Sequence, residues 1–182
     1  VTHTGASRPT ATVQTATFQG DTMAFDAFLQ LAGVKGEATA KGFEGAIEIL
    51  SFSWGASNPI NVAGGGMGSG KVSVSDFNVM KKTDIASNTM FQKCCTGEHF
   101  DNATVSFRKA GGEQVVYLKY EFTEVFVSSI QWSGSTGGDD VPTESASFAF
   151  KQVKVTYQPQ DKKGGATKPS VYGWDVAGVH KL

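Results

Sequence analysis

Cysteine is almost missing from this 182-residue sequence: there are two, Cys94 and Cys95, and they are neighbours. A disulfide framework is thereby excluded, because bridging adjacent residues strains the backbone, and the chain reads as made in a reducing cytoplasm. An excess of charge is also lacking. Sixteen Lys and Arg face 17 Asp and Glu, a formal net charge of -1, which argues against a nucleic-acid footprint. No apolar run approaches the roughly 18 residues of a membrane helix, so no membrane insertion is expected. The opening "VTHTGASRPTATVQTATFQGDT" lacks the basic start and the apolar stretch of about 7 to 15 residues that a secretory signal needs, so export by that route is not expected either.

What the sequence does have is alternation. Before Met23 it is Thr- and Ala-rich, and residues 1–22 read as an extension: an alternative start, a remnant or a native arm, with "ATVQTATF" alternating well enough to add an edge strand. From Met23 to Leu182 the pattern is that of one domain. "FDAFLQL" sets Phe25, Ala27, Leu29 and Leu31 on one face. In "AIEILSFSW" the bulky Leu50, Phe52 and Trp54 are expected to meet the core, opposite Ile47, Ile49, Ser51 and Ser53. "KVSVSDFNVMKK", "ATVSFRKAGGEQVVYLKYEFTEVFVSSIQW" and "ESASFAFKQVKVTYQ" continue in the same style, with Gly111 and Gly112 placed to turn a hairpin. One segment departs from it. "TDIASNTMFQKCCTG" predicts a helix over about Ile85 to Thr96, capped by Asp84 or Ser87, with Ile85, Met90, Phe91 and Cys94 on its apolar side and Gly97 as its stop. Many antiparallel strands with one helix predict a mainly β, two-sheet barrel with the helix packed at its side.

Several chemical motifs are tested by that reading. Gly65 to Lys71 in "GGGMGSGKV" fits most of a phosphate-binding loop, but Val72 replaces the Ser or Thr that holds magnesium. Such a loop must run from a strand into a helix, whereas "VSVSDFNV" follows as a strand, so no nucleotide cofactor is expected. Cys94, Cys95 and His99 invite a zinc reading, yet adjacent helical side chains point about 100° apart and no second cluster completes a site. No metal is expected, and the cysteines read as buried small side chains of a helix packed on a sheet. His99 is the only internal histidine and no nucleophile elbow is present, so no catalytic triad is predicted. Asp139, Asp140 and Glu144, set among glycine and proline, read as solvated loop charges. An enzyme is not expected.

The stretches "MAFDAFLQLAGVKGEA", "IEILSFSWGAS", "GSGKVSVSDF", "KKTDIASNTMFQKCCTGEHF", "FRKAGGEQVVYLKYEFTEVFVSSI", "FKQVKVTYQPQ" and "YGWD" occur in the order and spacing of one family. Over Met23 to about Trp174 the chain resembles the haemolysin co-regulated protein family, Hcp, the inner-tube subunit of the type VI secretion system. The resemblance implies a two-sheet barrel with one helix, homohexameric rings stacked head to tail, export without a signal peptide, a spike protein and contractile sheath as partners, and small effectors carried in the lumen. It assigns no role to residues 1–22 or to the cysteine pair.

Two site expectations follow. Ser51 and Ser53, small hydroxyls opposite the bulky face, are placed in the central channel that the resemblance implies, with Ser53 nearest the cargo; the alternative is that both lie in a subunit interface or under the helix. The long loop Ala56 to Gly70 carries Asn58, Ile60, Val62 and Met67 and is assigned to ring-to-ring contact, as the resemblance implies. The rival readings are a monomeric secreted β-domain effector and a nucleotide- or ligand-binding β-domain.

Overall fold

The structure, a computed structural model, describes residues 25–59, 70–109, 115–137, 140–159 and 167–182. The extension, its alternating "ATVQTATF", the hairpin glycines Gly111 and Gly112, Asp139, and the loop residues Ile60, Val62 and Met67 lie outside these.

Eleven strands and one helix are formed among the described residues: β1 (Phe25–Leu31), β2 (Ile47–Ile49), β3 (Ser51–Ser53), β4 (Ala56–Ser57), β5 (Ser73–Val74), β6 (Phe77–Lys82), α1 (Ala86–Thr96), β7 (His99–Lys109), β8 (Val116–Ser133), β9 (Thr143–Tyr157), β10 (Ser170–Asp175) and β11 (His180–Lys181). All pairings are antiparallel. β7, β8 and β9 are long enough to serve two halves of the fold. β9 pairs with β8 along its length, with β6 through residues 143–148, and with β10 through residues 152–157.

The barrel closes at one residue. β2 pairs with β1, β3 pairs with β6, and only Leu50 separates them, its N–H donating to the Met80 carbonyl at 2.7 Å. Here the chain leaves one neighbour for another, completing the circuit β7, β1, β2/β3, β6, β9, β8. This bend corrects the single-face reading of "AIEILSFSW". Ile47 and Ile49 are buried, Leu50 is 53% exposed, and only after the bend do Phe52 and Trp54 pack against the core. A bend that adds one residue to a strand inverts its two faces.

The core inside the circuit combines Leu29, Ile47, Phe77, Val79, Val105, Phe107, Phe122 and Phe148. Phe52 stacks on Phe77 with ring centres 5.7 Å apart, and Trp54 meets Tyr120 edge to face at 5.4 Å. Burial pushes the Tyr120 hydroxyl pKa up, and Tyr117 beside it adds to the shift. A smaller cluster on the other side of β1 joins Phe28, Ala38 and Ala46 to Phe43, with the Arg108 guanidinium 5.0 Å from the Phe28 ring centre and its Nε 2.9 Å from Asp26. The alkyl stem and planar cation of arginine suit such an aromatic lid.

α1 packs against β8. It begins one residue later than the pattern predicts; Asp84 accepts the Ala86 N–H at 2.9 Å and Ser87 Oγ accepts the Asp84 N–H at 3.0 Å. Gly97 ends it in the left-handed region, φ 71°, donating to the Lys93 carbonyl. Ala86, Ser87 and Met90 are its buried residues; Ile85 and Phe91 are exposed, which corrects half of the predicted apolar side. Cys94 is half-buried against the core but Cys95 is exposed, so the pair is not uniformly buried.

Candidate functional site

The exposed face of β3 carries Ser51 and Ser53, both open to solvent. The register places Ser53 beside Asn78 of β6, Asn78 beside Ser147 of β9, and Ser147 beside Ser129 of β8. Their outward direction follows from alternation, since Phe77, Val79, Ala146 and Phe148 take the buried side. One row further along, Ser51, Met80, Ser145 and Gln131 are neighbours in the same way. Four strands therefore share a face of small polar side chains, broken by the half-exposed Met80.

Part of this face is internally bonded. Ser129 Oγ donates to Ser147 Oγ at 3.0 Å, and Ser147 Oγ donates to Asn78 Oδ1 at 2.6 Å. Asn78 Nδ2 donates in turn to the Asp76 carbonyl at 3.1 Å. These bonds orient the row and leave it without a charge; the hydroxyls of Ser51 and Ser53 stay in solvent. Sequence reasoning found the two serines of β3 and missed Asn78, Ser129, Ser145 and Ser147. Alternation with buried apolar residues in "SASF" and "DFNV" is the signal that carries Asn78, Ser145 and Ser147, whereas Ser129 follows a register shift after Val127 that breaks the alternation of β8.

The second feature is an arm. β4 and β5 form a two-stranded ribbon rooted where the Ser75 N–H donates to the Gly55 carbonyl at 2.9 Å and Ser75 Oγ bonds both Gly55 backbone groups. Beyond it the Gly70 N–H donates to the Pro59 carbonyl at 3.0 Å, so the chain ends flanking residues 60–69 are held together. A Cβ at position 70 would stand 2.6 Å from Pro59 Cγ, and glycine alone permits this approach. Asn58 lies exposed in the arm. β5 follows Lys71 and Val72 directly, which removes the helix a phosphate-binding loop requires.

Of the three clustered carboxylates, Asp140 is exposed as expected, but Glu144 is not a loop charge. It is buried in β9 with Oε1 2.6 Å from Lys81 Nζ. Among the described residues no group of three or more His, Cys, Asp and Glu side chains could hold a metal, and no helix is long and apolar enough to cross a membrane.

Comparison with known proteins agrees with the barrel. Residues 28–157 match the family described as "Type VI secretion system effector, Hcp". The chain is 42% identical to protein hcp1 of Pseudomonas aeruginosa over 160 residues, spanning 85% of this chain and 96% of that relative. A solved type six secretion system protein superposes with a TM-score of 0.83 at 36% identity, covering 87% of this chain and all of the other. Hcp1 from Salmonella typhimurium superposes with a TM-score of 0.72 at 32% identity, covering 88% and 100%. The chain belongs to the Hcp family and is a structural, secreted tube subunit of the type VI secretion system rather than an enzyme.

Proposed function

We propose that the chain forms homohexameric rings whose central channel is walled by the polar face of β3, β6, β9 and β8, with Ser51 and Ser53 directed at the cargo. The observation that carries this reading is the uncharged row Ser53, Asn78, Ser147 and Ser129, in which Asn78, Ser147 and Ser129 are oriented by one another and the Ser53 hydroxyl is open to solvent. Such a surface offers hydrogen bonds to many passengers and demands no single sequence, as a carrier of small effectors requires. Rings stack head to tail through the segment from Ala56 to Gly70, including Asn58, Ile60, Val62 and Met67, and a heterologous contact of this kind propagates along an axis. Residues 1–22 are an addition to the single barrel domain of residues 23–182. The chain is made in the cytoplasm and exported by the type VI machine, with the spike and sheath as its partners there. Light scattering across a micromolar concentration series, with negative-stain images, tests the assembly: six-fold rings are expected, and a monodisperse monomer overturns it.

A further inference from the structure

The outer edge of β10 is covered over only half its length. β11 pairs with it at Trp174 and Asp175, and the Leu182 N–H donates to the Gly173 carbonyl at 3.1 Å. Among the described residues no strand pairs with Ser170–Tyr172 on that side. The Gly173 carbonyl faces the edge while the Val176 N–H bonds Lys151 of β9, and residues two apart in an antiparallel ladder point the same way, so the Val171 N–H and carbonyl face the open edge. Val171 and Tyr172, on opposite faces of the strand, are 53% and 51% exposed, as side chains with no neighbour on one flank must be. Beside this edge lies a cavity of about 320 Å³ lined by Val155 of β9, Tyr172 of β10, and Val72 and Val74 at β5. An unpaired edge next to an apolar cavity is a template for one more strand.

We propose that the chain occupies this edge with its own segment Ala11–Phe18: Thr17 pairs antiparallel with Val171, and Phe18 enters the cavity on the face of Tyr172. The inference concerns the single chain and does not depend on its assembly. Composition favours this segment, because "TATVQTATFQ" over residues 10–19 is uncharged, rich in β-branched residues and bounded by Pro9 and Gly20. Direction favours it too. Ala27, Phe107, Leu118, Tyr157 and Ser170 form one row of the sheet, and β1 and β10 run the same way, so the chain enters β1 at the end where Ser170 opens β10. Length then sets which residue arrives. From β1 to a strand beyond β10 is five inter-strand steps, about 24 Å along the sheet. Seven extended residues span about 23 to 25 Å, so Phe18 is the first residue before Phe25 that reaches the edge. Two other segments outside the described residues, 60–69 and 160–166, are loops closed at their roots by the Gly70 to Pro59 and Thr167 to Pro159 hydrogen bonds.

Residue-resolved amide hydrogen exchange in the full chain tests the pairing, because the Val171 N–H points away from β9. Thr17→Pro removes the N–H that would bond the Val171 carbonyl, Phe18→Ser removes the side chain that would fill the cavity, and Ser7→Pro, ahead of the segment, is the control. The Val171 amide is expected to exchange at least tenfold faster in Thr17→Pro and in Phe18→Ser than in the parent, and within twofold of the parent in Ser7→Pro. The reciprocal measurement alters the receiving side: the Thr17 amide should be protected in the parent and lose at least tenfold of that protection in Tyr172→Arg. All four positions lie outside the described core, and melting curves followed by circular dichroism check the barrel separately. Equal Val171 exchange in the parent and all three N-terminal variants overturns the proposal. An unprotected Thr17 amide in the parent overturns it too. Val171 protection that rises with chain concentration and survives Thr17→Pro assigns the edge to a second copy, and the proposal fails.

Discussion

Lys81 and Glu144 form an ion pair of 2.6 Å between side chains that solvent barely reaches, joining β6 to β9 beneath the start of α1. Lys81 Nζ also donates to Asp84 Oδ1 at 2.8 Å, to the Lys82 carbonyl at 2.8 Å and to Ser87 Oγ at 3.1 Å, and Ser87 Oγ donates to Glu144 Oε1 at 2.9 Å. One cation therefore fastens the helix N-terminus to two strands. Removing one member of such a pair leaves the other charged and buried, which costs about 3 to 5 kcal/mol, whereas replacing both by apolar residues is often near neutral. Lys81→Met is expected to lose about that much in urea unfolding. The double variant Lys81→Met with Glu144→Leu should recover most of it, and a double variant as unstable as the single would show that the network is needed for its hydrogen bonds rather than its charge balance.

Asp175 gives the fold an acid dependence. Its carboxyl is held below the usual carboxylate range, chiefly by the hydrogen bond from the Gln152 side chain and then by the Gly178 N–H. A depressed folded-state pKa contributes stability above the unfolded value of about 3.9, and that contribution is lost as pH falls through the lower folded value. Denaturation midpoints should therefore drop below about pH 4 more steeply in the parent than in Asp175→Asn. Parallel curves from pH 7 to pH 2.5 would remove Asp175 from the account.

These two cases show what one sequence discloses. β1, β7, β8 and β9 were legible because alternation is a local property, and so was the helix stop, because Gly97 alone at that position takes φ 71° without strain. The burial of Glu144 was not legible: its partner is 63 residues away, and the Gly- and Pro-rich loop before it suggests solvent. The bend at Leu50 left only a faint mark. The adjacent apolar residues Ile49 and Leu50 break the alternation of "IEILSFSW", but the change of partner from β1 to β6 is what shows that the two faces invert there. Of the polar face, Ser51 and Ser53 were visible in one strand, while the rest required the register of four.

The arm is expected to act between rings rather than within them. Its root at Gly55 and Ser75 and the Pro59 to Gly70 closure lie outside the barrel circuit, so shortening residues 60–69 leaves the contacts among the described core residues in place. A chain with that segment replaced by a two-residue turn should keep its melting temperature and form rings, but not tubes, in negative-stain images. Loss of the rings would move the arm to the contact between subunits of one ring.

Ser53 offers the sharpest test of the channel wall, because its neighbour in the same row supplies the contrast. Ser53 is exposed, whereas Ser147 is half-buried and bonded to both Asn78 and Ser129. Exposed positions tolerate added bulk within about 0.5 kcal/mol, while breaking a buried hydrogen-bonded group costs about 1 to 3 kcal/mol. Ser53→Gln should therefore leave stability and ring assembly unchanged and lower the amount of passenger retained on purified rings in a pull-down. Ser147→Gln should destabilise the fold itself. If Ser53→Gln abolishes rings while the chain remains folded, the β3 face is a subunit interface and the channel must be lined by another strand; if retention is unaffected in intact rings, Ser53 does not touch cargo and its assignment to the channel wall fails.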